Sequence, residues 1–206
     1  RMISPRYFFN RLKDVKASDL AAVFPMLGAL IGSPLFKKKY SHTWLICEEK
    51  AEARDNGYWF FRKMREEHPK QPCIYAIDKK SVDYKKVKDL GQVIQYGSFL
   101  HWVIYFTCER NISSQKGGKP NAVLCAFIEL NNWYNAHNIF LQHGVIINDL
   151  RWLYADRSRF DMFVTSAVPE TKYIEEKTGV ELKFYEFPSS GGMEKLNVML
   201  ASGSEL

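Results

Sequence analysis

From residue 43 onward, short runs rich in β-branched and aromatic residues alternate with longer amphipathic stretches. No other feature constrains the chain as much. Strands separated by helix-length segments are joined by crossovers rather than hairpins, and crossovers wind a parallel sheet. The runs are TWLIC (43–47), CIYAI (73–77), QVIQY (92–96), NISS (111–114), NIFLQ (138–142), MFVTS (162–166) and ELKFY (181–185). Helices are expected between them, near 54–67, 81–89, 98–108, 120–134 and 168–178. Local chemistry marks several ends. Asn56-Gly57 opens the first helix and Pro69 closes it, Ser98 caps the third, and Pro169 and Gly179 suit the first turn and the stop of the last. The expected class is α/β, a Rossmann-like parallel sheet of seven strands, in a chain whose 206 residues suit one domain with appendages.

The N-terminal segment differs from the rest. Residues 1–40 carry eight Lys/Arg against two Asp, while the remainder carries 21 against 21, so the whole net charge of +6 is N-terminal. Within it, LAAVFPMLGALIGSPLF (20–36) is interrupted by Pro25, Gly28, Gly32 and Pro34 and runs into Lys37-Lys38-Lys39. Its 17 positions fall short of the about 20 needed for a membrane span. Two arrangements remain open: a segment lying in the interface of an anionic bilayer, and a helical hairpin packed on the domain. No small-residue cleavage site follows, so a secretory signal is not expected and the domain is placed on the cytoplasmic side.

Cys47, Cys73, Cys108 and Cys125 form no CxxC pair and mostly sit in apolar runs, as buried reduced thiols do in a reducing compartment. His42, His68, His101 and His137 show no HxH or HExxH spacing, and no GxGxxG follows a strand. Neither a metal nor a cofactor is expected. Basic charge confined to one end argues against a nucleic-acid partner. Phe99, Trp102, Tyr105 and Phe106 have helical spacing and suit core packing.

Open α/β sheets bind ligands beyond the carboxyl ends of their strands, so the loops after the expected strands hold the candidate residues. Gln142-His143-Gly144 ends NIFLQ. A histidine leaving a buried strand, with an ordinary pKa near 6.5, suits a general base, although a lone histidine is also a common structural residue. The loop 48–57, with Asp55, Asn56 and Gly57 at its end, opens a helix. Free amides there suit a phosphate or hydroxyl, and a capping arrangement by Asp55 or Asn56 is the alternative. Ser113-Ser114-Gln115-Lys116-Gly117-Gly118-Lys119-Pro120 looks superficially like a phosphate loop, but it lacks the GxxxxGK[ST] spacing and has Pro120 where a hydroxyl belongs.

Taken in order, WLICEEKAEARDNGYWFFRKMREEHP, YAIDKKSVDYKKV, VIQYGSFLHW, ISSQ and FLQHGVIINDLRWLY followed by FDMFVTSAVPE resemble blocks of the bacterial CDP-glycerol glycerophosphotransferases, over about residues 43–180. These enzymes build teichoic-acid and capsule-like polymers. The resemblance implies a GT-B architecture of two facing Rossmann-like lobes, the N-terminal one holding the acceptor and the C-terminal one the CDP-activated donor. His143 aligns with the histidine of the family's WHG or QHG motif. By analogy it deprotonates the terminal hydroxyl of the polymer, which attacks the glycerol-bearing phosphorus and expels CMP. The candidate substrate-binding positions are Asp55, Asn56, Gly57, Ser114, Gln142, Gly144 and Asp149.

Two departures matter. The QHG form in place of WHG leaves the acceptor open. After Val180-Glu181-Leu182-Lys183, where the family runs on into a donor lobe, Phe187-Pro188 leads into SSGGMEKLNVMLASGSEL. The expected organisation is a basic N-terminal segment (1–40), a GT-B N-terminal lobe (41–188) and a linker or tail (189–206). A donor lobe for CDP-glycerol is expected to come from elsewhere, and little activity from this chain alone. The implied partners are a polyol-phosphate or lipid-linked acceptor polymer and an anionic membrane surface, with the protein peripheral on the cytoplasmic face of a bacterial membrane. A binding or assembly module without a donor lobe, and half of a nucleotide-sugar glycosyltransferase, are the alternatives.

Overall fold

A computed structural model describes residues 15–116, 118–130, 133, 135–141, 158–165, 172 and 174–176. Six of the expected strands form within them: β1 (Trp44–Ile46), β2 (Cys73–Ile77), β3 (Gln92–Gln95), β4 (Arg110–Ser113), β5 (His137–Leu141) and β6 (Met162–Val164). Every pairing is parallel, and the order across the sheet is β3-β2-β1-β4-β5-β6. The run 181–185, expected as a seventh strand, lies outside the described residues. Of the helix expected at 168–178, Lys172 and residues 174–176 are described, and they are helical.

Among the described residues, five helices with defined bounds flank the sheet: α1 (Ala17–Tyr40), α2 (Asn56–Glu67), α3 (Tyr84–Val87), α4 (Phe99–Thr107) and α5 (Ala122–Leu130). WLI and CIYAI are buried at every position because a parallel sheet is covered on both faces. Alternate side chains separate cleanly. Trp44, Ile46, Tyr75, Ile77, Ile112 and Ile139 pack with Phe60, Phe61 and Met64 of α2 on one face. Leu45, Ile74, Ala76 and Ile94 pack on the other with Met26, Ala29, Trp102, Tyr105 and Ile128 of α1, α4 and α5. All four cysteines are buried free thiols. Of the aromatic stripe on α4, Trp102 and Tyr105 are core, but Phe99 stays half exposed against Gly28 and Gly32 of α1.

The apolar N-terminal segment is one helix rather than a hairpin. Two internal prolines do not break it. Pro34 removes the N–H that the Leu30 carbonyl would receive, and Ser33 Oγ donates to that carbonyl instead, at 3.0 Å. At the start of the helix, Asp19 accepts from the Lys16 amide (2.8 Å) and from Asn121 Nδ2 (2.7 Å), while Asn121 Oδ1 caps α5 through the amides of Val123 and Leu124. One carboxylate thereby anchors α1 to the start of α5.

Candidate functional site

The chain builds the sheet outward from β1 in one direction and then, from β4, in the other. The reversal lies between β1 and β4, and the carboxyl ends of those strands flank the position where such sheets take ligands. The loop after β1 (47–55) and the loop after β4 (114–121) face each other there, with the end of β5 beside them.

Glu48 organises the first loop. Its carboxylate is fully buried and accepts from the amides of Arg54 (2.9 Å), Asp55 (3.2 Å) and Tyr58 (2.6 Å) at the start of α2. Burial raises its carboxyl above the ordinary range, and the amides of Arg54, Tyr58 and Asp55 pull the other way. Around this helix end the protein's own carboxylates thus take the amides of Arg54, Asp55 and Tyr58 on Glu48 and that of Asn56 on Asp55. Asp55 supplies the N-cap, accepting from the Asn56 amide at 2.8 Å, as the capping alternative anticipated. A Cβ on Gly57 would stand 2.9 Å from Glu48 Cγ, so glycine is needed there for the carboxylate to reach the helix.

The rest of that loop is held from below. Asp83 accepts from the Ala53 amide (3.2 Å), from Arg54 Nε (2.9 Å) and Nη2 (2.8 Å), and from Lys86 Nζ (2.9 Å). Burial alone would raise the Asp83 carboxyl, but Lys86, the Ala53 amide and Arg54 outweigh it and hold it below the usual carboxylate range.

The loop after β4 closes onto the first. Gln115 Nε2 donates to Asp55 Oδ2 at 2.7 Å, which brings the sequence-predicted Asp55 next to the Ser114-Gln115 turn. A Cβ on Gly118 would lie 2.5 Å from the Cys47 carbonyl oxygen and 2.4 Å from Ser113 Cβ. Gly118 thus serves a close approach of backbone to the end of β1. Lys119 is likewise engaged. Its ammonium meets the buried Glu129 carboxylate at 2.5 Å, which also accepts from Tyr105 Oη at 3.0 Å. Ser114 Oγ is buried and finds no hydrogen-bond partner among the described residues.

Asp55, Asn56, Gly57 and Ser114 therefore share one edge of the sheet. Gln142, His143, Gly144 and Asp149 lie outside the described residues; in sequence, Gln142 directly follows Leu141, the last residue of β5. Sequence reasoning missed Glu48 as the group that caps α2, and Gln115 and Glu129 as the partners of Asp55 and Lys119. Glu48 left a signal, a carboxylate two residues past a wholly apolar strand, where burial obliges it to find donors. The other two pairings join residues 60 and 10 positions apart and leave none.

Over 133 residues, 64% of this chain, the sequence is 30% identical to the minor teichoic acid biosynthesis protein GgaB of Bacillus subtilis (strain 168). The chain spans 15% of the length of that protein. No family model matches the chain, and no solved structure matches it.

Proposed function

We propose that this chain is the acceptor-binding lobe of a glycerophosphotransferase that moves glycerol phosphate from CDP-glycerol to a growing cell-wall or capsule polymer, with His143 as general base. The supporting observation is the similarity to a teichoic acid biosynthesis protein, carried by a parallel sheet that reverses at β1 and β4. β5, whose end leads in sequence into Gln142-His143-Gly144, pairs with β4. The donor is assigned to another lobe; among the described residues, the Tyr58 amide at the start of α2 is on Glu48 and Lys119 is on Glu129.

In the reaction, the acceptor hydroxyl oxygen forms a bond to the glycerol-bearing phosphorus, the phosphorus–oxygen bond to CMP breaks, and the hydroxyl proton passes to His143. Positioning and charge stabilisation carry most such transfers, and a general base adds typically about 10²–10⁴ in rate.

The test is titration of the chain with a short glycerol-phosphate oligomer and, separately, with CDP-glycerol, for the wild type and His143→Ala. Binding of the oligomer alone, weakened by the substitution, is expected. Tight binding of CDP-glycerol, or an oligomer affinity indifferent to His143, overturns the assignment.

A further inference from the structure

The start of α2 carries an aromatic surface that the core does not use. Trp59 is 56% exposed, meets Tyr58 edge-on with 5.0 Å between ring centres, and has the Arg62 guanidinium 5.7 Å from its own ring centre. At about 100° per residue, Asn56, Trp59, Arg62, Lys63 and Glu66 fall within an arc of about 120°. They stand on the side of the helix opposite Phe60, Phe61 and Met64, which enter the core. Trp59 lies one turn beyond Asp55, about 6 Å of helix rise, and Asp55 is the residue that Gln115 Nε2 bonds beside the Ser114 turn. The indole therefore borders the edge that holds the candidate substrate-binding residues.

Charge narrows what such a surface can take. Arg62 donates to Glu66 at 2.7 Å, Lys63 is paired with Glu67, and Lys86, 5.9 Å from the Tyr58 ring centre, is on Asp83. Each cation around the aromatic pair thus has its own carboxylate, and no net positive charge is left to draw a nucleic acid or an anionic bilayer. The apolar area is small as well. An indole with the edge of a phenol offers on the order of 200 Å², against about 800 Å² that each partner brings to a stable protein interface. The ligand that fits is polar and neutral, with one small apolar face. A sugar ring has that form: hydroxyls at its rim to bond Asn56 and Arg62, and a face of C–H bonds whose partial positive charge meets the negative face of an indole.

We propose that Trp59, with Asn56 and Arg62, forms a subsite for a sugar ring carried by the acceptor. This rests on the acceptor role proposed above and extends it. The polymer is read at its reacting hydroxyl and again at a glycosyl group, one turn along α2. A polyol phosphate without a ring presents no C–H face to the indole, so Trp59 makes the lobe select glycosylated acceptors over bare ones.

The experiment is titration calorimetry of the full chain with a short glycerol-phosphate oligomer, with the same oligomer carrying a glucosyl or galactosyl group on each glycerol, and with free methyl glucoside and methyl galactoside. Trp59→Ala and Trp59→Phe are compared with wild type, each checked for an unchanged urea midpoint. The wild type is expected to prefer a glycosylated oligomer by about tenfold. Trp59→Ala should abolish that preference and Trp59→Phe should keep part of it. No preference in the wild type for either sugar, a preference that survives Trp59→Ala, or a ligand-free dimer that Trp59→Ala dissolves overturns the subsite. The two claims fail separately. Binding of the bare oligomer with no gain from either sugar removes the subsite alone. Binding of a free methyl glycoside that is lost in Trp59→Ala, with neither kind of oligomer bound, removes the acceptor role alone.

Discussion

His101 makes the protein's stability pH-dependent in a way that can be calculated. The ring is fully buried at the start of α4, packs edge-on against Tyr96, and accepts the Gly97 amide at Nδ1 (3.0 Å). Its proton therefore sits on Nε2, which is buried without a partner among the described residues. Burial lowers its pKa from 6.5 to about 3. Because the folded value is depressed, the unfolded chain binds the extra proton. Stability is full above pH 6.5 and is lost as pH falls toward the folded value. Between pH 7.5 and pH 5 this one group costs about 2 kcal/mol, and any folded pKa below about 4 gives nearly the same figure. His101→Asn keeps an acceptor for Gly97 and cannot titrate. Urea denaturation of both proteins across that range should show the wild type losing about 2 kcal/mol more than the variant, whatever their difference at pH 7.5. Parallel losses would mean that the ring takes up its proton while still folded and that the burial argument is wrong.

Gly57→Ala should destabilise the protein by about 2 kcal/mol despite alanine's better helix propensity, because the new Cβ displaces Glu48 from the amides of α2; thermal unfolding reads this directly. Lys119→Met should cost about 3–5 kcal/mol by stranding the buried Glu129 carboxylate, and Lys119→Met/Glu129→Gln should regain most of it in the same denaturation assay. A double variant no better than the single one would show that the lysine acts through its packing on Phe160 instead.

The order of strands and helices from 43 to 141 was legible because period-2 and period-3.6 patterns are local and the caps lie beside them. Ser98 illustrates this, since its hydroxyl accepts the His101 amide as an N-cap should. The runs TWLIC and QVIQY extend past the strands by two residues and one, because Thr43, Cys47 and Tyr96 leave the sheet without breaking the pattern. Pro25 and Pro34 read as breaks that leave a hairpin open for residues 20–36, and only the structure reveals the Ser33 hydroxyl that covers for Pro34. At the site, sequence located the two loops facing the switch point and anticipated capping at Asp55, but it did not show Glu48 on the amides of Arg54, Asp55 and Tyr58 or Glu129 on Lys119, because tertiary pairing of this kind has no local signature.

The two-sided character of α1 also decides how its role is best dissected. Cutting the chain before Ser41 would strip the exposed Leu20, Phe24, Leu27, Ile31 and Leu35 of α1, but it would also lay open Trp102, Val103 and Tyr105, which pack with Met26 and Ala29. The truncated protein would exchange one exposed apolar surface for another, and that new surface would itself invite aggregation or lipid. Deletion would therefore confound loss of the outer face with exposure of the core, whereas serine at Phe24 and Ile31 alters the outside and leaves the inside in place.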